Sequence, residues 1–234
     1  MTFADRLAAI QARVVSACGR AGRDPADVRL LVASKTRTPE EVIEAMRGGQ
    51  TLFAENRAQE FRDKDPKIAA LAQIAGLPAP EWHFIGAVQS NKIRYLAGRV
   101  TLVHAIDSLA TGIAMSERVL RGDGAPQPIL VEVNTGGETT KAGVTPADAL
   151  ALAHALDALA GVTVRGLMTI PPPVDAPSKS APCFAALATL AARGREEGLG
   201  LHELSMGMSG DFEEAIRHGA TIVRVGTAIF GARH

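Results

Sequence analysis

Short uninterrupted apolar runs alternate along the chain with longer segments in which apolar residues recur every three or four positions. An apolar run of strand length predicts a strand buried on both faces, and the longer spacing predicts an amphipathic helix. The predicted strands lie at residues 30–34, 51–56, 83–86, 102–106, 129–133 and 164–170, in a short segment near 204, and at 222–225.

Helices are predicted between these strands, partly from end signals such as Thr38 and Pro39, which are typical of an N-cap and a first helical turn. The predicted helices lie at residues 3–21, from 38 to the glycines at 48 and 49, in a segment ending near 74, in a segment beginning at 90, at 110–120, in a segment opened by Thr145 and Pro146, at 182–197 and at 212–217.

These elements form eight strand–helix units, or nearly so, after a leading helix. Strict alternation favours a parallel sheet covered by helices, and eight such units close as a (β/α)₈ barrel. The proline-rich segment 171–180 follows the sixth strand and is interpreted as a loop, not as a domain boundary. The sequence therefore predicts an α/β protein with one TIM-barrel domain over residues 1–234 and an extra N-terminal helix.

Composition excludes several classes of function. The 25 basic and 25 acidic side chains balance, which gives no indication of a nucleic-acid or anionic-membrane partner. The first residues lack the apolar core of a signal peptide, so we expect a soluble, cytoplasmic protein. Cys18 and Cys183 are far apart, without CxxC spacing or clustered histidines, and are expected to be buried free thiols and not metal ligands.

Lys35 is the first candidate functional residue, because it stands at the end of the buried strand 30–34. One interpretation is a solvated lysine that opens a loop. The other is an amine in a dry pocket, where desolvation lowers the pKa of the amine and leaves it able to attack a carbonyl.

Functional residues of such barrels gather at the C-terminal ends of the strands. The residues delivered there are Lys35, Glu55, Asn56, Gly86, Asp107, Asn134, Met168, Thr169, the segment 205–209, Arg224, Gly226 and Thr227.

Two loops of small residues, 204–211 and 225–227, flank the last helix and the last strand. Barrels often bind phosphate with the loops after strands seven and eight, where backbone N–H groups are presented. The alternative is an ordinary helix start with Ser209 or Asp211 as N-cap. The acids at 211, 213 and 214 would repel a phosphate unless they point outward.

Arg224 lies within an otherwise apolar strand, where an unpaired guanidinium is costly. Its partner is either an acid such as Glu203 or Glu132, or an acceptor on a ligand. An arginine stays protonated and would keep a pyridine nitrogen opposite it unprotonated. A lysine for a carbonyl, two loops for a phosphate and an arginine for a ring nitrogen together describe pyridoxal phosphate.

With these residues in place, the sequence closely resembles the pyridoxal-phosphate-binding homeostasis protein family almost from end to end. The motifs that carry the resemblance are Val32-Ala33-Ser34-Lys35-Thr36, Phe53-Ala54-Glu55-Asn56, Trp82-His83-Phe84-Ile85-Gly86, Gln89-Ser90-Asn91-Lys92, Val133-Asn134, Lys141-Ala142-Gly143, Arg165-Gly166-Leu167-Met168, Leu204-Ser205-Met206-Gly207-Met208-Ser209 and Val225-Gly226-Thr227-Ala228-Ile229-Phe230-Gly231-Ala232-Arg233. The sequence departs from the family's common pattern at Arg57, Ala87 and Gly210.

The resemblance implies a single barrel like the N-terminal domain of alanine racemase, with the cofactor pyridoxal 5′-phosphate held as an internal aldimine on Lys35. It also implies Arg224 at the pyridine nitrogen and a phosphate near Ser205, Ser209, Gly226 and Thr227. The predicted cofactor-binding residues are Lys35, Asn56, Met168, Ser205, Ser209, Arg224, Gly226 and Thr227; no residue is firmly predicted to be catalytic and none to bind a metal.

Two functions compete beside the less favoured Schiff-base aldolase. The resemblance implies a carrier that holds, shields and releases the cofactor in vitamin B6 and amino-acid homeostasis, with apo-enzymes as candidate recipients. The alternative is a low-activity racemase or lyase. It is less favoured because Arg224 weakens the cofactor as an electron sink and Lys35 is the only evident proton-transfer group, since Tyr95, Trp82 and His83 are expected to be structural. The chain ends at His234, so the second racemase domain is expected to be absent and the protein to be a monomer.

Overall fold

Eight parallel strands close into a barrel in sequence order, which confirms the predicted fold class. The computed structural model describes residues 2–122, 124–138, 141–173 and 175–231, so Ala232 and Arg233 of the last motif and the chain end at His234 lie outside the described residues. The strands are Arg29–Ala33 (β1), Leu52–Glu55 (β2), Glu81–Phe84 (β3), Leu102–Ile106 (β4), Gln127–Glu132 (β5), Val162–Met168 (β6), Glu203–Ser205 (β7) and Ile222–Val225 (β8).

Helices cover the outside of this barrel and connect the strands. The α-helices are Phe3–Ala21 (α1), Pro39–Arg47 (α2), Ala58–Ile74 (α3), Leu109–Leu120 (α4), Ala149–Asp157 (α5), Ala181–Glu196 (α6), Phe212–Arg217 (α7) and Thr227–Phe230 (α8). Short 3₁₀ helices span Pro25–Asp27, Ser90–Tyr95 and Pro177–Ser180. Among the described helices none is long and apolar enough to cross a membrane.

The predicted leading helix is present as α1. It begins with a capping box, in which the Thr2 side chain accepts from the Asp5 N–H group and the Asp5 carboxylate accepts from Thr2. Its apolar face packs against α7 and α8, with the rings of Phe3 and Phe230 at a centroid separation of 5.2 Å. The additional helix therefore belongs to the same packed unit as the last two helices, α7 and α8.

Two of the predicted helices differ from their prediction, and the last helix, α8, was not predicted. The segment that begins at Ser90 is a 3₁₀ helix. Its buried residue Ile93 and the buried residue Leu96 that follows the helix are three apart, which matches the three-residue turn of a 3₁₀ helix. The helix expected from Thr145 begins only at Ala149, because Thr145 and Asp148 bond to each other and close a separate turn first.

Apolar residues fill both sides of the strands. Large side chains such as Phe53, Phe84 and Trp82 lie between the barrel and its helices. A smaller group, here called the inner cluster, fills the barrel itself and consists of Leu31, Leu52, Ala54, Leu102, Ala105, Leu130, Met168 and Ile222. Burial on both faces explains why the strands read as continuous apolar runs.

The strands β6 and β7 approach closely at Gly166, where an added Cβ atom would lie 1.8 Å from the carbonyl oxygen of Glu203. Only glycine fits this position. Of the two thiols, Cys18 is buried as expected, whereas Cys183 is half-buried at the start of α6; neither forms a disulfide.

Candidate functional site

Alternate residues of each strand point into the barrel, and this alternation identifies the inward side chains. In β1 and β8 the paired residues Leu31 and Arg224 are inward. The same alternation, continued two residues past Ala33, brings Lys35 to the C-terminal mouth, and in β2 it brings Asn56 there after Ala54. The structure thus places the predicted lysine, asparagine and arginine on one rim.

The Lys35 side chain is half-buried at this mouth instead of enclosed in a dry pocket. Its ammonium group makes no hydrogen bond or ion pair with any residue in the described ranges. A lysine that is partly shielded from water and has no protein partner is available to a ligand.

The backbone on the N-terminal side of Lys35 is held by a buried ion pair behind the strand. Lys64 of α3 donates to Glu55 at 2.6 Å and to the carbonyl oxygen of Ser34 at 3.0 Å. The Ser34 hydroxyl donates to the same Glu55 oxygen at 2.8 Å, while the second oxygen, Oε2, has no hydrogen-bond partner among the described residues. Burial raises the pKa of Glu55, and the Lys64 charge opposes this rise.

On the other side of Lys35, the backbone of Thr36 has a left-handed conformation with φ of 66°. This conformation is uncommon for a β-branched residue and costs of order 1 to 3 kcal/mol. The Thr36 N–H donates to Glu60 at 2.6 Å, and Glu60 also accepts from Lys64 at 2.8 Å. One lysine therefore anchors both neighbours of Lys35, an arrangement that we call the α3 clamp (Ser34, Thr36, Glu55, Glu60 and Lys64).

Arg224 is 5% exposed and has no carboxylate partner within ion-pair distance in the part of the chain that the structure describes. Its Nη1 donates to Ser205 Oγ at 2.6 Å and its Nη2 donates to the Thr169 carbonyl oxygen at 2.9 Å. Burial lowers the pKa of Arg224 to about 10, so the guanidinium remains charged at neutral pH. Two of its five N–H groups are used in these bonds.

The alternative of a salt bridge from Arg224 to Glu203 is wrong. Glu203 accepts from Arg29 at 2.8 Å and from Thr221 at 2.6 Å, near the opposite end of the barrel. Glu132 interacts with Arg224 electrostatically without forming an ion pair.

Ser205 is fully buried, and its hydroxyl has two partners: it accepts from Arg224 and lies 2.8 Å from His104 Nδ1. The hydroxyl that was predicted to lie near a phosphate is thus engaged by Arg224 and His104 in this structure. Sequence reasoning missed this because it placed Ser205 by its loop motif, whereas the residue is the last one of β7.

The two predicted phosphate loops meet at the mouth. Thr227 is exposed, Ser209 is half-buried, and the Thr227 hydroxyl donates to Ser209 Oγ at 3.4 Å. Gly226 packs on β1, since an added Cβ atom would lie 3.1 Å from the Ala33 carbonyl oxygen. Gly207 has φ of +89°, and its added Cβ atom would lie 2.5 Å from that of Ala215. Small residues thus keep both loops close to the strands.

The acids near these loops all have protein partners. Glu213 pairs with Arg13 and Arg20 of α1, each at 2.8 Å. Asp211 occupies the N-cap position of α7, although its carboxylate accepts from Met208 N–H at 2.7 Å and from Ser180 at 2.9 Å, not from the helix. The third acid, at position 214, pairs with Arg217 and His218. Their charge is therefore partly compensated.

The remaining predicted residues lie on the walls and floor of the mouth. Met168 is 1% exposed and belongs to the inner cluster, so it forms floor. Asn56 is half-buried at the end of β2, and Gly86 packs against its backbone, where an added Cβ atom would lie 2.1 Å from the Asn56 carbonyl oxygen.

Glu132, at the end of β5, is a titratable group that the sequence did not single out for the site. Its carboxyl is buried beside the Asp107 charge, and burial together with that charge raises the pKa of Glu132 to about 7 against the opposing effect of Arg224. A carboxyl with this pKa can gain or lose a proton near neutral pH.

Two histidines were also missed as functional candidates. His83 and His104 are 1% and 0% exposed and lie inside the barrel, with His104 Nε2 2.9 Å from His83 Nδ1. The sequence feature that could have indicated them is a histidine at an inward position of each of two apolar strands. By contrast, Trp82 packs against Phe53 and Phe61 in the outer layer, which gives it a structural role.

Tyr95 lies at the outer surface, where Arg62 and Arg94 stack on its ring and bond to its hydroxyl. Among the residues described, no group of three or more histidine, cysteine or acidic side chains is arranged to hold a metal ion.

Comparison with known proteins places this site in a family. The family model described as alanine racemase, N-terminal domain, matches residues 6–234. The chain is 42% identical over 234 residues to the pyridoxal phosphate homeostasis protein of Aquifex aeolicus, covering 100% of this chain and 99% of that protein. It is 43% identical over 232 residues to the protein of that name from Pseudomonas aeruginosa, covering 99% and 96%. The chain belongs to the pyridoxal phosphate homeostasis protein family.

A solved structure has the same barrel. PipY of Synechococcus elongatus, whose structure has pyridoxal phosphate bound, superimposes with a TM-score of 0.80 at 33% identity, over 98% of this chain and 100% of PipY. The similarity covers both chains almost completely, so the two chains share one barrel fold.

Lys64→Met tests the α3 clamp, because it removes the ammonium group and keeps most of the aliphatic stem. The Glu55 carboxylate would then be buried without its cation, and we expect the free energy of unfolding to fall by about 3 to 5 kcal/mol. Urea unfolding followed by circular dichroism measures this change. The control is Lys67→Met on the exposed side of the same helix, with an expected change within about 0.5 kcal/mol. Equal effects of the two substitutions would contradict the clamp.

Glu132→Gln tests the raised pKa of Glu132. A folded-state pKa of about 7 against a reference of 4.5 means that the folded protein holds a proton which the unfolded chain releases. Stability from this group is therefore complete below pH 4.5 and falls as the pH rises to 7, by up to about 3 kcal/mol.

The neutral amide cannot lose a proton, so the stability of Glu132→Gln relative to the parent should increase between pH 5 and pH 8. Urea unfolding of cofactor-free protein at both pH values gives the comparison. Glu196→Gln, at the exposed end of α6, is the control and should show no such pH dependence relative to the parent. A parallel pH dependence of Glu132→Gln and the parent would refute the assignment.

Proposed function

We propose that this chain binds pyridoxal 5′-phosphate at the C-terminal mouth of the barrel and serves as a carrier in intracellular vitamin B6 and amino-acid homeostasis. The observation that carries the proposal is that Lys35 and the buried Arg224 lie at the same mouth. Among the described residues, Lys35 has no hydrogen-bond or ion-pair partner and Arg224 has no carboxylate partner. The names of the relatives and the cofactor bound to PipY support the same ligand.

The residues at the mouth fit the parts of this cofactor. Lys35 would hold it covalently through its aldehyde carbon, since the Lys35 amine has no competing partner and its backbone is fixed by the α3 clamp. The hydroxyls of Ser209 and Thr227 and the backbone at Gly226 would hold the phosphate, because the two loops meet there. Asn56 and Met168 would line the wall and floor.

Arg224 would face the ring nitrogen with an N–H group that Ser205 and Thr169 leave free. Its charge persists at neutral pH, so it would donate to the nitrogen and disfavour a proton on it. When bound, the cofactor supplies an aldehyde that bonds reversibly to amines and a ring that withdraws electrons, and a ring without a proton withdraws them less strongly.

The carrier function is favoured over a racemase because the mouth offers few proton-transfer groups. Tyr95 is at the outer surface with its hydroxyl bonded to Arg94 at 2.8 Å. The alternative, a low-activity racemase or lyase, has support from Glu132, whose pKa of about 7 suits proton transfer. A single such carboxyl at the end of β5 would support a slow reaction at most.

The proposal extends to the working form of the protein. Every proposed anchor comes from one barrel, which favours a monomer that holds the cofactor without a second chain. A cytoplasmic location is part of the same proposal. Apo-enzymes that need the cofactor are the proposed recipients.

Borohydride reduction followed by peptide mass spectrometry tests the attachment to Lys35. After incubation with pyridoxal phosphate, the parent should carry a pyridoxyl group on the peptide that contains Lys35. Lys35→Ala should lose that group, whereas Lys179→Ala, an exposed lysine paired with Asp175, should keep it. A group found solely on another lysine, or a protein that stays colourless, would sink the proposal.

Exchange of the α-proton of alanine with solvent deuterium, followed by NMR, separates carrier from enzyme. Ordinary enzymes turn over at roughly 1 to 10³ per second. We expect the parent to exchange the α-proton far more slowly than this. Arg224→Glu should accelerate exchange at matched cofactor occupancy, because a carboxylate favours a protonated ring nitrogen. Fast exchange by the parent would overturn the carrier function. An unchanged slow rate in a loaded Arg224→Glu variant would show that missing acid–base groups limit the reaction.

A further inference from the structure

A chain of polar side chains crosses the apolar interior of the barrel from one mouth to the other. Arg224 Nη1 contacts Ser205 Oγ at 2.6 Å, Ser205 Oγ contacts His104 Nδ1 at 2.8 Å, and His104 Nε2 contacts His83 Nδ1 at 2.9 Å. His83 Nε2 then contacts Glu81 Oε1 at 3.2 Å. Ser205, His104 and His83 are at most 1% exposed, whereas Glu81 is half-exposed at the N-terminal mouth.

Arg224 and Glu81, at the two ends of this series of hydrogen-bonded side chains, require the same arrangement of protons along it. A guanidinium only donates, so Arg224 uses the Ser205 oxygen as acceptor and leaves the Ser205 hydroxyl proton for His104 Nδ1. An ionised carboxylate only accepts, so Glu81 requires the proton of His83 on Nε2. His83 Nδ1 is then an acceptor, and His104 must donate to it from Nε2. All four contacts are satisfied by neutral Nε2–H tautomers of both histidines.

The charge state of each group agrees with this order. Burial lowers the pKa of His83, and it lowers that of His104 further, aided by the nearby His83 and the Arg224 charge, so both rings are neutral at pH 7. The hydrogen bond from His83 and the charge of Arg29 lower the pKa of Glu81, which keeps it ionised.

The reverse order would weaken the support of Arg224. If His83 carried its proton on Nδ1 and donated to His104, then His104 would donate from Nδ1 to Ser205. The Ser205 oxygen would accept hydrogen bonds from both Arg224 and His104, and the Ser205 hydroxyl proton would have no acceptor among these hydrogen-bonded side chains. The Glu81 carboxylate disfavours this order, because His83 Nε2 would then face it lone pair to lone pair.

We propose that Glu81, His83 and His104 are positioning residues for Arg224. The Glu81 carboxylate sets the tautomers of both histidines, and these orient the Ser205 hydroxyl so that its oxygen is free to accept from Arg224. The consequence for the cofactor rests on the proposed function, which assigns Arg224 to the ring nitrogen; the proton order itself does not.

Long-range proton–nitrogen NMR of the imidazole rings, on cofactor-free protein labelled with ¹⁵N, tests the proton order directly. His83 and His104 should both be neutral Nε2–H tautomers at pH 7. An Nδ1–H tautomer at either histidine would overturn the proposal.

Glu81→Gln tests the origin of this order, because an amide can donate as well as accept and no longer enforces one tautomer. We expect a measurable Nδ1–H population at His104, two contacts away from the substitution. The matched control is Glu203→Gln, which makes the same charge change beside Arg29 and acts on His83 through its charge alone, because no hydrogen bond joins Glu203 to His83 among the described residues. Identical His104 spectra for the parent and Glu81→Gln would refute the proposal that Glu81 sets the histidine tautomers. Equal changes in Glu81→Gln and Glu203→Gln would refute it as well.

The cofactor gives a second readout that a merely structural role would not change. With pyridoxal phosphate labelled with ¹⁵N at its ring nitrogen, Glu81→Gln should shift the ring-nitrogen signal and weaken binding about fivefold, the effect of one ordinary hydrogen bond. His104→Leu should do the same, and His104→Asn, which keeps an acceptor for Ser205, should restore the parental signal. An unshifted signal in Glu81→Gln and His104→Leu would overturn the positioning role. If the parent takes up no cofactor, the proposed function fails, while the imidazole spectra still decide the proton order.

Discussion

A buried positive charge without a counter-charge in contact is the constraint on which the barrel interior depends. An isolated guanidinium is costly in an apolar core, yet Arg224 is 5% exposed and bonds to a hydroxyl and a carbonyl oxygen. Glu132 and Asp211 attract it without pairing, which keeps its pKa at about 10 and its charge intact. Because none of the described carboxylates forms an ion pair with Arg224, its remaining donors are available at the C-terminal mouth.

The two faces of β1 have different roles around Lys35. Inward positions lead through Leu31 to the mouth, while Ser34 faces α3 and bonds there to Glu55 and Lys64. The ionic contacts that fix the backbone therefore lie behind the strand, on the side away from the ligand. The Lys35 amine keeps its freedom to react, because none of these contacts uses it.

The sequence predicted the barrel and the rim well because both depend on local patterns. Continuous apolar runs indicate doubly buried strands, and the period of two brings Lys35 and Arg224 to the same mouth once the strands are parallel. The partners inside the barrel were out of reach, because they depend on register between strands that are distant in sequence. Ser205 meets His104 across 101 residues, and Glu203 meets Arg29 across 174, so neither pairing leaves a local signal.

The α3 clamp was equally invisible, although Glu55 was placed at a strand end. Its partner Lys64 lies in a helix whose charged residues look like an ordinary solvated face, and only the structure shows this lysine 7% exposed. The 3₁₀ helix at Ser90–Tyr95 has a similar origin, since six residues carry too few apolar positions to separate a three-residue turn from an α-helical one.

The rigid interior and the open mouth favour holding a ligand over converting it. The interior groups are fixed by buried bonds from Arg224 down to Glu81, whereas Lys35 is half-buried and Thr227 is exposed. A ligand bound there would meet a fixed charge at its ring and reach solvent at its phosphate and its covalent link. Because reversible bonds at an accessible lysine can exchange with other amines without any proton leaving carbon, loading and release need only the groups this mouth already has. Catalytic turnover would require further acids and bases on both faces of the ligand, and therefore more precisely placed groups than reversible binding requires.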